Sequence, residues 1–267
     1  MQLSTEQVRL FQRDGYLSLP VVFTESELEA LATDAAAIAD KDTPQRVMEK
    51  GGEITRSVYW LDGLSDLYAR VVRDPRLVEP ARALLGGDVY LYQTQLNPKA
   101  SFVGDVWKWH QDYLYWNRED GMPNDNVLSA AVYLDDVTEF NGPMYVIPGT
   151  HRTTLDSETA TRSGADGWEN TVNADFRHEV GQDTLARLVS QNGLASTRGA
   201  RGSVVFFHGN LLHSSGPNLS PFTRTVFFAR YAGMDNVLRP VADPRPDWIA
   251  NRSPEPISTL DQPLLPV

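Results

Sequence analysis

At about residue 88 the chain changes periodicity, and this switch limits its fold more than any other feature. Before it, apolar residues recur at helical spacing. After it they come in short runs rich in Val, Tyr, Phe and Trp, broken by turn residues. In the first part, Ser4-x-x-Gln7 and Thr24-x-x-Glu27 are capping boxes, in which side chains satisfy orphan amides at a helix start. Leu28, Leu31, Ala35 and Ile38 then form one stripe. Between the two helices, Gly15 to Pro20 reads as a short strand closed by proline. Further helices are predicted over Leu64–Val72 and Leu77–Leu85, separated by Asp74-Pro75 and closed by Gly86-Gly87.

In the second part the pattern predicts strands at Val89–Asn97, Val106–Asp112, Val127–Leu134, Met144–Ile147, Ser203–Phe207 and Arg224–Tyr231. Several short strands after a helical start predict a mainly β fold, a sandwich or jelly-roll core with flanking helices. Residues 152–200 are polar, with one helix predicted from Leu185, Leu188 and Val189 and ended by Gly193. An insertion of that length in a β domain reads as a lid over a site. The tail from about residue 236 is expected to wrap the surface. The reading is one domain over residues 1–267, helical to about residue 87.

Composition removes several classes of function. A formal charge of −11 disfavours a phosphate-binding surface, so no nucleic-acid partner is expected. The absence of Cys excludes disulfides, thiolate metal sites and thiol nucleophiles. No run approaches the ~20 apolar residues that cross a bilayer. The opening Met1-Gln2-Leu3-Ser4-Thr5-Glu6 lacks the features of a secretory signal, so a cytoplasmic protein with no membrane partner is expected. Monomer and homodimer are both compatible with the sequence.

There are five histidines, and one lies in Trp107-Lys108-Trp109-His110-Gln111-Asp112, which reads as a strand. Side chains at i and i+2 of a strand share a face, so His110 and Asp112 can present an imidazole and a carboxylate together. His208 or His213 could supply a third ligand across the sheet. Two His and one carboxylate form the facial triad of non-haem Fe(II) oxygenases, which leaves coordination positions open. The competing reading is a strand histidine hydrogen-bonded to its neighbour. Arg224, eleven residues after His213, heads an apolar strand and shares a face with Val226, Phe228 and Arg230. Facing inward, its guanidinium needs an anion; facing outward, it reaches solvent. Gln93, Gln95 and Asn97 fall with Val89 and Leu91 on one face of their strand. That face lines either a polar pocket or solvent.

Several of these stretches together resemble the phytanoyl-CoA dioxygenase family. They are Gln93-x-Gln95-x-Asn97, Trp109-His110-Gln111-Asp112, Trp116, Glu119-Asp120-Gly121-Met122-Pro123, Asn141-Gly142-Pro143, Pro148-Gly149-Thr150-His151 and His213-Ser214-Ser215-Gly216-Pro217-Asn218. The likeness is closest to the bacterial branch acting on small free amino acids, nearer its leucine 5-hydroxylases than its ectoine hydroxylases. It implies a double-stranded β-helix (cupin-like) core and an Fe(II)- and 2-oxoglutarate-dependent dioxygenase that consumes O2. Iron would sit on His110, Asp112 and His213, the last preferred to His208 for its step to Arg224. Arg224 would grip the distal carboxylate of 2-oxoglutarate, with Ser215, Asn97, Gln93 and Trp107 around it.

On the substrate side the resemblance points to Tyr115, Trp116, Gln95 and Phe228. Arg56 stands where the family often places a pocket arginine, serving either a substrate carboxylate or a surface salt bridge. Gln95 departs from the ectoine hydroxylases, which carry arginine there, and Tyr115 replaces a small polar residue. Both departures count against ectoine as substrate. Halogenating members lack the carboxylate ligand, so Asp112 implies hydroxylation. The implied substrate is a leucine- or isoleucine-like free L-amino acid. Competing readings are a carrier-tethered amino acid, an acyl-CoA, or a non-catalytic jelly-roll module that binds a small ligand or Zn²⁺. His151 and His178 read as loop histidines, His178 in the lid, and His208 as a hydrogen-bonded sheet residue.

Overall fold

The computed structural model describes residues 1–155, 160–162 and 178–265. Its first helix, α1 (Thr5–Asp14), starts at the expected capping box, with Ser4 and Gln7 side chains each accepting the other's backbone amide. Gly15 ends it with φ +82, and a Cβ there would lie 2.5 Å from His151 Nδ1. The left-handed turn and the close approach both demand glycine. The chain continues through β1 (Tyr16–Leu19), α2 (Glu25–Ala39), β2 (Arg46–Met48) and β3 (Thr55–Tyr59). The strands β2 and β3 were not expected; they are short and their pairing is set by tertiary contacts rather than by a strong alternation. The helix predicted over 64–72 is two pieces, α3 (Leu61–Leu64) and α4 (Asp66–Val71). They divide at Ser65, whose hydroxyl accepts from the Leu67 and Tyr68 amides and so starts a new helix. Then comes α5 (Pro75–Leu85), capped by Asp74.

The β part contains β4 (Val89–Lys99), β5 (Trp107–His110), α6 (Asp112–Asp120), β6 (Val127–Tyr133), β7 (Met144–Val146), β8 (Ala160–Arg162), β9 (His178–Val180), α7 (Gln182–Asn192), β10 (Ala195–Thr197), β11 (Val204–His208), β12 (His213–Ser215) and β13 (Arg224–Gly233). All pair antiparallel, in a seven-stranded sheet ordered β1-β11-β6-β13-β4-β3-β2, a four-stranded sheet ordered β10-β7-β12-β5, and the β8-β9 hairpin. This is the expected mainly β jelly-roll core with flanking helices. The helices cover one face of the large sheet, where Leu28, Leu31, Leu77 and Val78 pack on Leu96, Val132, Phe206 and Phe227. The other face looks toward the small sheet. Much of the lid segment expected at 152–200 lies outside the described residues; within it, β8, β9, α7 and β10 are described.

Three expectations are corrected. The strand predicted through Asp112 stops at His110, and Asp112 begins α6; Gln111 between them is still extended, at φ −112 and ψ 124. The tail does more than wrap the surface: Ile249 and Ala250 are fully buried, and Asn251 donates to Leu91 O (2.8 Å). Finally, Gln93, Gln95 and Asn97 do not share a face with Val89 and Leu91. Arg230 pairs with Gln93 and Tyr231 with Leu91, leaving Tyr92 as an extra residue in β4. Such a bulge reverses the alternation beyond it. Val89, Leu91 and Leu96 therefore pack on the helices, while the three amides face the interior between the sheets.

The helical layer is pinned by one ionic cluster. Arg76 donates to both Glu27 oxygens (2.7 and 2.9 Å) and to both Asp74 oxygens (2.7 and 2.8 Å), joining the start of α2 to the start of α5. Arg76→Ala leaves two largely buried carboxylates without their cation. With Arg76 about a quarter exposed, the cost is reduced from that of a fully buried pair to about 2 kcal/mol. A lower urea midpoint with unchanged substrate turnover is the expected result.

Candidate active site

The site is built where the small sheet meets α6. In the antiparallel pair β5·β12, His110 stands directly opposite His213, and the ring centroids are 4.2 Å apart. Asp112 reaches the same point because Gln111 keeps the chain extended for one more residue. Gln111 itself turns to the other side, donating to Thr153 O and Asn210 O and accepting from Leu155 N, which fixes the junction. One atom from each of His110, Asp112 and His213 lies within 4.8 Å of the others. His208 stands apart, its ring tilted against that of His151 at 5.3 Å, with its Nδ1 accepting from the Asn210 amide.

The hydrogen bonds assign the ring tautomers. His110 Nδ1 donates to Lys108 O (2.6 Å) and His213 Nδ1 to Leu211 O (2.8 Å), since a carbonyl can only accept. Each Nε2 therefore carries a lone pair toward Asp112 Oδ1, at 3.4 and 4.0 Å. Three electron-pair donors facing one another repel unless a cation lies between them. Asp112 Oδ2 is buried without a hydrogen-bond partner, a second sign that the set is incomplete alone. Electrostatics hold the right protonation states. Burial, followed by the neighbouring His110, pulls the His213 imidazole down to about 4. Burial would raise the Asp112 carboxyl, but His213, His110 and Arg230 outweigh it and hold the group well below the usual carboxylate range. Its place in the first turn of α6 acts in the same direction. At neutral pH His213 is therefore a neutral imidazole and Asp112 a carboxylate. This donor set fits Fe(II) with positions left open.

Beside the triad lies a cavity between the two sheets. Gln93, Gln95, Asn97, Trp107, Tyr115, Trp116, Ser215, Arg224 and Phe228 all line it. Arg224 is buried, and its Nη2 donates to Asn97 Oδ1 (2.6 Å) while Nε has no partner. Burial pulls its guanidinium down to about 10, still a cation at neutral pH. Gln93 donates to Ile249 O (2.5 Å), and Ser215 donates to Gly142 O (3.2 Å). Arg56 is the exception. It does not line the cavity, being spent on Glu49 Oε2 (2.8 Å) and Val106 O (3.1 Å) with its guanidinium over the Trp107 ring at 3.9 Å. Neither a surface bridge nor a free pocket cation, it supports Trp107 from behind.

Other wall residues were not singled out as site residues from the sequence. Tyr59, Met144, Phe207, Ser214, Arg230 and Arg245 line the cavity. Arg230 was already legible on the Arg224 face; Arg245 lies in Pro244-Arg245-Pro246 of the tail, a stretch that resembles the family's but from which no site role was read. Its Nε donates to Asp120 Oδ1 (2.8 Å) and its Nη2 to Asp120 Oδ2, closing the tail against the end of α6. Lys99 was also missed. It pairs with Arg224 in the β4·β13 register, and its amine donates to Ser215 Oγ (2.6 Å) and Gly216 O. The turn at Gly142, φ +80, packs on its stem; a Cβ there would lie 2.7 Å from Lys99 Cδ.

Burial, then Arg224 and Arg56, pull the Lys99 amine from 10.5 down to about 6. Between those two values the unfolded chain binds a proton that the folded protein does not. Stability therefore rises with pH across that window, by about 1.4 kcal/mol per pH unit from this group. Melting curves from pH 7 to 9 should show the rise, and Lys99→Met should flatten it.

Comparison with known proteins gives a consistent result. The sequence profile of the Phytanoyl-CoA dioxygenase (PhyH) family matches residues 11–226. An ectoine dioxygenase of Bordetella parapertussis is 36% identical over 257 residues, covering 94% of this chain and 83% of its own. An L-proline trans-4-hydroxylase of Streptomyces griseoviridis is 34% identical over 253 residues, covering 94% of each. The crystal structure of EctD from S. alaskensis with 2-oxoglutarate and 5-hydroxyectoine superposes with a TM-score of 0.86 at 34% identity, over 98% of this chain and 89% of that one.

Proposed function

The chain belongs to the phytanoyl-CoA dioxygenase family, and from that membership we propose that it is an iron- and 2-oxoglutarate-dependent hydroxylase of a small free L-amino acid, a medium-sized aliphatic one such as leucine or isoleucine. The observation that carries this reading is the convergence of two imidazoles and a carboxylate beside a cavity that also holds a buried, carboxylate-free arginine. His110, Asp112 and His213 hold Fe(II). Arg224, oriented by Asn97, binds the distal carboxylate of 2-oxoglutarate, with Ser215, Gln93 and Trp107 closing around it. Bound Fe(II) and 2-oxoglutarate supply the oxidising chemistry: O2 and 2-oxoglutarate become succinate and CO2 as one C–H bond becomes C–OH.

The chain's own residues do the rest. Asp112 stays ionised and His213 neutral, so their electron pairs remain available to the metal. Trp116, Tyr115 and Phe228 offer an apolar wall to an aliphatic side chain and exclude water. Gln95, in place of a cation, suits a neutral group. We assign the segment 152–200 to a lid within a single domain. In support, β9 runs beside β5, and Val180, Leu185, Leu188 and Val189 share one apolar cluster with Trp109, the neighbour of His110 in sequence.

Under anaerobic conditions, Fe(II) and 2-oxoglutarate added to the protein should give a visible absorption band that Zn²⁺ cannot give. On admitting O2 with a panel of free amino acids, one member should gain 16 mass units with one succinate formed per product. Asp112→Ala should lose both the band and the turnover. An Asp112→Ala protein that still hydroxylates would remove the metal assignment.

A further inference from the structure

Three guanidiniums line the cavity, and their charges are met differently. Arg245 is paired with Asp120. Arg224 has Asn97 and no carboxylate. Arg230 is the third, about 6% exposed, six residues along β13 from Arg224 and on the same face. At ~3.4 Å per residue their backbones stand about 20 Å apart, so one small anion cannot serve both. Arg230 Nη2 donates to Gln95 Oε1 (2.7 Å), which in turn is held by its own amide donating to Tyr59 Oη (3.1 Å). Its guanidinium carbon lies over the Trp116 and Phe228 rings, at 5.7 and 5.2 Å from their centroids. Nε and Nη1 are buried with no hydrogen-bond partner. The nearest carboxylate, Asp112 Oδ2, is 4.0 Å from Nε and belongs to the metal triad.

A rigid, desolvated cation with unused donors at a cavity wall is an anion site awaiting its ion. Resting on the hydroxylase reading above, we propose that Arg230, and not Arg56, binds the free α-carboxylate of the substrate. Gln95 sets the orientation of its guanidinium, and Trp116 and Phe228 fix its plane. Because Arg230 adjoins Asp112, a carboxylate held there leaves the substrate's side chain within reach of the metal. The site therefore selects against any substrate whose carboxyl is esterified, amidated or held as a thioester, and so against a carrier-tethered amino acid. A neutral acyl group cannot replace the missing charge in a buried site.

The test is binding to the anaerobic Fe(II)·2-oxoglutarate enzyme, read by tryptophan fluorescence, since Trp107 and Trp116 line the cavity. The probes are L-leucine, L-leucinamide, the N-acetylcysteamine thioester of leucine, and 4-methylpentanoate. Leucine should bind at least about 30-fold more tightly than its amide or thioester. Arg230→Met should weaken leucine binding by a similar factor, and Arg230→Lys should restore part of it. The visible band of the Fe(II)·2-oxoglutarate complex should still form in Arg230→Met. Wild-type binding by 4-methylpentanoate but not leucine, lost in Arg230→Met, supports the carboxylate site while removing the amino-acid reading. Equal binding of leucine and leucinamide, leucine binding untouched in Arg230→Met, loss of the visible band in that variant, or no wild-type binding of either acid would each overturn the proposal.

Discussion

The register of β13 against β4 is the constraint on which the rest of the molecule depends. One extra residue at Tyr92 reverses the alternation of β4, so that Gln93, Gln95 and Asn97 look inward opposite the Arg224–Arg230 face. Without the bulge the three amides would lie among the helices, where their polar groups would lack partners. With it, each arginine gains an amide oxygen that fixes its direction: Asn97 for Arg224 and Gln95 for Arg230. The outer face of the same two strands carries the hydrophobic core. Packing and chemistry are thus two sides of one ladder.

The interior is an electrostatically unfinished assembly. Two buried cations have no hydrogen-bonded carboxylate, and two imidazole lone pairs face a carboxylate. An isolated fold gains little from such an arrangement, because burying charge without compensation is costly. It is coherent once a divalent cation and carboxylate-bearing ligands are counted as part of the structure. The contrast with Arg76, Arg56 and Arg245 is instructive, since each of those is matched by an acid of the chain itself.

How much of this was legible in the sequence depends on the range of the cause. The capping boxes at Ser4 and Thr24 and the glycine at 15 are local rules and lie where they were read. The pairing of His110 and Asp112 rested on i, i+2 geometry and holds even though Asp112 opens a helix, because only Gln111 has to be extended. Arg224 and its inward neighbours followed from simple alternation. What failed was non-local. The bulge at Tyr92 is fixed by pairing with β13, and the fate of Arg56 depends on Glu49 seven residues away. Arg245 gains its place only through Asp120, 125 positions earlier. The split at Ser65 was a local signal, a capping serine, that hydrophobic spacing alone overrode.

The tail that closes the cavity has a kinetic consequence. Gln93 and Leu91 are bonded to Ile249 and Asn251, 156 and 160 positions apart, and Arg245 must find Asp120 across a comparable span. Loops of that length are closed only after the nearer hairpins have formed, because their entropy is lost before the contacts repay it. Pairing of β13 with β4 sets Gly233 opposite Val89, so the span left for the tail to close is short once that ladder exists. A nascent or refolding chain can show nearly complete secondary structure while still unable to retain its ligands.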